Sequence, residues 1–198
     1  MRIGVHSESV ATDAVIYGEI VGGVLGREVD VATWLAHRGG VNNVFKDLHI
    51  ALADFASKTL DLAVVALDND EQIPHEADHG PEHVHPCRRC GLRARVAMEL
   101  PALPRALAVV IAVPRPAIES WLLSARDAEL IAPEELPTGD LKYRLYRSKG
   151  AGKARVLKTG VPLAHALGRD AAVRDRVARA CPSFAHFLES LASSTRTD

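Results

Sequence analysis

Apolar residues fall along the chain in two alternating rhythms: short continuous or period-two runs, and longer stretches that repeat every three to four residues. The opening run at 2–7 is short and apolar, and Val10, Ala14, Val21, Val24 and Leu25 follow at helical spacing. That reads as a strand and then a helix. Residues 28–35 alternate through Val29, Val31 and Thr33 and end in a turn where Gly39 and Gly40 relax the backbone. Asn42 or Asn43 supplies a good N-cap ahead of a stripe formed by Val44, Leu48, Leu52 and Phe55. The run at 61–68 is apolar and β-compatible and stops abruptly at Asp68, as a strand buried on both faces does. Beyond a His-rich stretch, the pattern predicts a helix over 92–100, a buried strand over 106–113 and a helix over 117–131. Strands alternating with helices predict an α/β fold with a parallel sheet covered on both faces.

The tail reads differently. No strand pattern occurs over 140–198, whereas 170–180 and 182–191 read as helices, the second burying Phe184, Phe187, Leu188 and Leu191. The expected organisation is an α/β domain at 1–135 with a His- and Cys-rich insertion at 71–91, and a basic helical segment at 136–198 packed on it. A chain of 198 residues fits one domain with such an appendage. With 47% hydrophobic and 25% charged residues, neither a disordered nor a fibrous protein fits.

The run at 106–113, held between Arg105 and Arg115, is too short to span a bilayer. The opening MRIGVHSES lacks the continuous apolar region of a secretory signal, so the expectation is a cytoplasmic protein with no membrane partner. Three cysteines do not make a disulfide framework in a chain of this size.

Charge changes the picture. The net of −1 conceals 13 acids against 5 bases in residues 1–80 and 12 acids against 19 bases in residues 81–198. Within 141–158 there are seven bases and no acid. Acid clusters suit cations and basic clusters suit phosphates, which points to a metal site in the first half and a polyanion surface in the second. Two solvated faces of opposite sign are the plainer alternative.

In parallel α/β sheets, chemistry collects beyond the carboxyl ends of the strands. Glu8 follows the first strand, Asp68 and Asp70 follow the third, and Glu119 follows the fourth at the start of its helix. Each alone is explained by a helix dipole or a turn. Jointly they make an all-oxygen anionic site of the kind Mg²⁺ or Mn²⁺ prefers.

The segments GVHSES at 4–9, LAVVALDND at 62–70 and VIAVPRPAIESWLLS at 110–124 together resemble the TOPRIM fold, specifically a family of small standalone TOPRIM-like proteins related to the OLD-type nucleases. KARVLKTG at 153–160 and ACPSFAHFLESL at 180–191 resemble that family's closing segment, so the likeness covers nearly the whole chain. Ser9 stands where TOPRIM proteins usually place Gly after the first acid. The resemblance implies that Glu8, Asp68 and Asp70 are metal ligands, that Glu119 joins them at a second cation, and that Lys158 contacts phosphate or the transition state. Lys142, Lys149 and Lys153 lie in the same basic stretch and are alternatives to Lys158. It also implies a two-cation phosphoryl transfer and, as in relatives that work beside an ATPase, a separate ATPase partner.

Between Asp70 and Leu92 lie His75, His79, His83, His85, Cys87 and Cys90. A CxxC knuckle with nearby imidazoles suits tetrahedral Zn²⁺, with Cys87 and Cys90 as two ligands and His83 and His85 the nearest histidines, while His75 and His79 could fold back. A closed set of four would staple a loop poor in apolar residues. An unliganded polar loop and a redox CxxC are the alternatives, the latter lacking the strand before and helix after that a thioredoxin-like motif needs. Gly18, Gly22, Gly23 and Gly26 make no dinucleotide fingerprint and point to close helix packing. Gly150 and Gly152 read as a flexible basic loop, Cys181 as a buried helix junction, and Trp34 and Trp121 as core.

The function these features favour is metal-dependent phosphoryl transfer on nucleic acid, foremost a DNA endonuclease. A non-catalytic nucleic-acid- or partner-binding module with a structural metal is one alternative, and a phosphatase or nucleotide hydrolase using the same acids is another. Crowded carboxylates repel, so without metal some of them should carry raised pKa values that a bound divalent ion would relieve.

Overall fold

A computed structural model describes residues 1–34, 40–70, 75 and 87–195. Four strands, β1 (Arg2–Ser7), β2 (Asp30–Thr33), β3 (Leu62–Ala66) and β4 (Ala108–Ala112), form one sheet in the order β2-β1-β3-β4. Every pairing is parallel, with Val5 opposite Thr33 and Val64, and Val64 opposite Val110. The helices are α1 (Val10–Leu25), α2 (Val41–Ser57), α3 (Arg88–Glu99), α4 (Ile118–Arg126), α5 (Thr138–Tyr146), α6 (Lys153–Arg169), α7 (Ala171–Ala180) and α8 (Pro182–Ser194). The chain is therefore an α/β protein with a parallel sheet, as its alternating pattern predicts.

Side-chain alternation along the strands splits the interior in two. Ile3, Val5, Leu62, Val64, Val110 and Ala112 share one core with residues of α1, α4, α5, α6, α7 and α8, including Ile16, Trp121, Leu145, Leu167 and Phe187. Ala63, Val65 and Ile111 share the other with Val44, Leu48, Leu52 and Phe55 of α2 and Leu92 and Val96 of α3. The C-terminal helices thus contribute to the main core beneath the sheet. Helix α8 also covers the outer edge of β4, where the Ile111 amide donates to Ser190 Oγ at 3.2 Å and Ser194 Oγ donates to the Val109 carbonyl at 3.0 Å. An edge so covered cannot template further strands.

Several boundaries differ from the sequence pattern. Helix α2 begins at Val41 with Gly40 as its N-cap, so Asn42 and Asn43 lie inside its first turn rather than capping it, and α3 begins at Arg88, four residues before the expected start. β2 is confined to Asp30–Thr33, pairing with β1 alone over four residues at the sheet edge. The helix behind β4 ends at Arg126, because Asp127 leaves helical backbone and its Oδ1 accepts the Glu129 amide at 3.1 Å, a local turn that competes with the helix. Between 138 and 169 lie two helices, α5 and α6, where the sequence reads only as a basic stretch. Gly150 and Gly152 do lie in the connection between them.

Helices α1 and α6 cross closely. A Cβ on Gly23 would stand 2.7 Å from the Gly168 backbone, so this contact requires glycine on both sides. Gly26 closes α1 in the left-handed conformation, φ 62°. Trp121 is fully buried and donates from Nε1 to Ser183 Oγ at 2.7 Å. Trp34 is half-buried against the second core. Cys181 is buried at the α7–α8 junction with its thiol pKa pushed up to about 12 by burial, which makes it a poor nucleophile. Among the described residues no helix is long and apolar enough to cross a membrane.

Candidate active site

The neighbouring strands β1, β3 and β4 deliver carboxylates to one edge because they run parallel and end together. Glu8 follows β1, Asp68 lies two residues beyond β3, and Glu119 sits in the first turn of α4 after β4. These three line a single cavity of about 480 Å³ together with Asp13, Thr12, Tyr146, Lys142, Lys149 and Lys153. The loop after β3 is bolted to the loop after β4: the amides of Leu67, Asn69 and Asp70 donate to the carbonyls of Ala112, Pro114 and Pro116 at 3.0, 2.9 and 2.7 Å. Asp68 then joins all three strand ends, its amide donating to Glu8 Oε1 at 3.1 Å and its Oδ1 accepting the Ile118 amide at 3.2 Å.

The carboxyls are crowded and poorly solvated. Burial, then the charges of Glu119, Asp13, Glu8 and Asp70, push the Asp68 pKa well above the ordinary carboxylate range. Glu8 is raised by burial and by Asp70, against the pull of the Asp68 amide. Glu119 is 6% exposed and raised by burial, with Lys142 opposing. Its Oε2 and the Tyr146 hydroxyl are both buried without a well-formed hydrogen bond among the described residues. Raised values are therefore present at Glu8, Asp68 and Glu119, and a buried carboxylate that faces a polar cavity beside the Tyr146 hydroxyl has the chemistry of a cation ligand.

Asp13 belongs to this cluster although it follows no strand. Its Oδ2 accepts the Ser9 amide at 3.1 Å and its Oδ1 accepts the Thr12 hydroxyl at 3.2 Å, and its pKa is raised by burial. The signal for it was an acid in the first turn of α1, five residues beyond Glu8 on the same loop-to-helix junction. Tyr146 and Lys142 are carried by α5, whose Leu141 and Leu145 form a buried i, i+4 pair. That spacing is the sequence signal for the helix.

Two of the expected residues stand apart. Asp70 is not among the cavity's lining residues; it has a positive φ of 48°, and its Oδ2 accepts from Arg88 Nη1 at 2.8 Å. Lys158 is exposed on α6 and does not line the cavity, whereas Lys142, Lys149 and Lys153 do. Helical geometry explains it: Lys158 lies more than a turn from Lys153 along α6, on a face pointing elsewhere.

A second cluster lies in the thiol knuckle. His75 Nδ1 is 3.5 Å from Cys87 Sγ and 3.4 Å from Cys90 Sγ, and the three ligand atoms lie within 4.8 Å of one another. These three residues could hold a metal ion. Cys87 and Cys90 come together because the knuckle opens α3: Cys87 is its N-cap, and its Sγ accepts the Cys90 amide at 3.5 Å. The His75 ring meets His186 of α8 edge-on, with centroids 5.0 Å apart. His79, His83 and His85 lie outside the described residues.

Compared with protein-family models, curated proteins and solved structures, the chain finds no match.

Proposed function

We propose that the chain is a divalent-cation-dependent phosphodiesterase acting on nucleic acid, DNA foremost, in the manner of the TOPRIM-like, OLD-type nucleases it resembles in sequence. The observation that carries this reading is the meeting of Glu8, Asp68 and Glu119 from three strand ends, with Asp13, in one cavity that Lys142, Lys149 and Lys153 also line. Glu8, Asp68 and Glu119 would hold Mg²⁺ or Mn²⁺. Such a cation supplies a hydroxide from bound water at neutral pH and neutralises charge on the scissile phosphate. The lysines bind and orient the phosphodiester by charge, and Lys142 additionally offsets the acids, since it faces both Asp13 and Glu119. For the second cluster, the soft sulfur and imidazole donors of Cys87, Cys90 and His75 favour zinc in a structural role over a hard cation.

The test is cleavage of plasmid, linear duplex, single-stranded DNA, RNA and mononucleotides with Mg²⁺ or Mn²⁺, by the parent chain and by Asp68→Ala. Cation-dependent cleavage of polynucleotide lost in Asp68→Ala is the expected result. Cleavage of mononucleotides alone would make the chain a small-phosphate hydrolase. Cation binding without turnover on any substrate would make it a binding module.

A further inference from the structure

The thiol knuckle and the acid edge are linked through one side chain. Arg88 is the first residue of α3, between Cys87 and Cys90, and its guanidinium reaches the loop after β3. There it donates to the Asp68 carbonyl oxygen and, at 2.8 Å, to Asp70 Oδ2. Its side chain is 14% exposed, against 45% for Asp70, so the arginine is the more firmly enclosed partner. Helix α3 opens on Arg88 and Arg89 with no acid in its first turn. Positive charge at that end opposes the helix dipole, so the placement of Arg88 needs an anchor beyond the helix itself.

The geometry of His75, Cys87 and Cys90 supplies that anchor. One imidazole nitrogen forms one good hydrogen bond, yet His75 Nδ1 stands almost equally near two sulfurs, at 3.5 and 3.4 Å. Tetrahedral zinc with Zn–S near about 2.3 Å and Zn–N near about 2.0 Å sets its sulfur and nitrogen ligands about 3.5 Å apart. The observed spacings match that edge.

We infer that a zinc ion on His75, Cys87 and Cys90 fixes Arg88 against the loop at 68–70, so that loading of the thiol site sets the cation affinity of the acid site. This rests on the reading of the acid cavity as a Mg²⁺ or Mn²⁺ site. Arg88 is a positioning residue: it holds the Asp68 backbone from behind while the Asp68 carboxyl faces the cavity, and it pairs Asp70, which otherwise adds repulsion at Glu8.

Zinc content, amide hydrogen exchange and Mn²⁺ affinity decide it, measured before and after zinc is removed with a chelator, in the parent chain, Arg88→Ala, Arg88→Lys and the Cys87→Ser, Cys90→Ser double variant. The expected parent carries about one zinc per chain, and the double variant carries none. Removing zinc should speed exchange at the Asn69 and Asp70 amides and weaken Mn²⁺ binding about 10- to 100-fold. Arg88→Ala should do the same with zinc still bound, should add nothing further when zinc is then removed, and should be partly rescued by Arg88→Lys. A parent without zinc, unchanged exchange at 68–70 on zinc removal, or additive losses would overturn the inference. Cleavage assays keep the two readings apart: zinc-dependent exchange and Mn²⁺ affinity in a chain that cleaves nothing would sink the nuclease and leave this coupling standing. Cleavage indifferent to zinc would do the opposite.

Discussion

The acid cavity and the thiol knuckle are built in opposite ways. The cavity draws its carboxylates from residues 8, 13, 68 and 119, brought together by three parallel strand ends and the start of α1, and every carboxylate donor is oxygen. The knuckle draws on residues 75 to 90, within one stretch of chain, and its donors are nitrogen and sulfur. A site assembled by the fold inherits the rigidity of the strands, and it also inherits their cost: carboxyls packed at one edge repel. A site assembled locally is cheap to bring together but has little core of its own to stiffen it. On the proposed reading, the two sites would take different cations, hard at the carboxylates and soft at the knuckle, by ligand chemistry.

The largest effect that would sharpen this contrast is on turnover. The Asp68→Ala, Glu119→Ala double variant should lose cation-dependent phosphodiester cleavage by more than about 100-fold, since even groups behind metal ligands typically cost about 10- to 100-fold. Its zinc content should be unchanged. Cleavage that survives the double substitution would place the chemistry elsewhere, and zinc lost along with it would show that the two sites are not separable.

Next in size is the pH dependence of stability. Glu8, Asp13, Asp68 and Glu119 all have pKa values raised by folding. The folded chain therefore keeps protons that the unfolded chain has released, and stability must fall as pH rises from the ordinary carboxylate range through the raised values. Without divalent cation, thermal melting should occur at higher temperature in mild acid than at neutral pH. Mn²⁺ should flatten that slope, and Asp68→Asn should raise the neutral-pH Tm, with about 2–4 °C for each kcal/mol of repulsion relieved. A Tm that climbs steadily from acid to neutral pH in metal-free protein would contradict the crowding argument.

Smaller again is the effect at the knuckle. Metal analysis of protein purified without chelator should find about one zinc per chain, and Cys87→Ser with Cys90→Ser should abolish it. Far-ultraviolet circular dichroism should be nearly unchanged, because the described core of the sheet owes little to these residues.

The smallest concerns the lysines that line the cavity. Lys142→Ala and Lys153→Ala should each raise KM and lower the salt dependence of substrate binding by about one phosphate contact. Lys158→Ala should change neither. An effect confined to Lys158 would mean that substrate follows the exposed side of α6 rather than the cavity.

The fold was legible because a parallel sheet writes itself as repeated apolar runs between helical stripes. Leu62 to Leu67 and its abrupt end at Asp68 are the clearest instance: a strand buried on both faces leaves no room for a polar residue until it emerges at the edge. That Glu8, Asp68 and Glu119 meet at one edge followed from parallel strands ending together. Asp13 did not, because an acid in a first helical turn is ordinarily explained by the helix dipole. Helix α5 was hidden by its charges, since Lys142 and Arg144 flank the few apolar positions that define it. His75 lies farther from the cysteines in sequence than His83 or His85, and only its position in space brings it to them.

The glycine contact between α1 and α6 has a mechanical meaning. Ile16 lies against Gly160 and Gly23 against Gly168, so the two helices advance in the same direction, and both present their first turns to the cavity, one bearing Asp13 and the other Lys153. Helix α6 is 17 residues long, a stiff rod of about 25 Å at about 1.5 Å per residue. Where that rod is fastened, at its far end, no side chain stands between the two backbones. The spacing of Asp13 and Lys153 is thus set in part by a backbone contact remote from both, and a single methyl group wedged at Gly168 would force the two helices apart and shift Lys153 relative to Asp13.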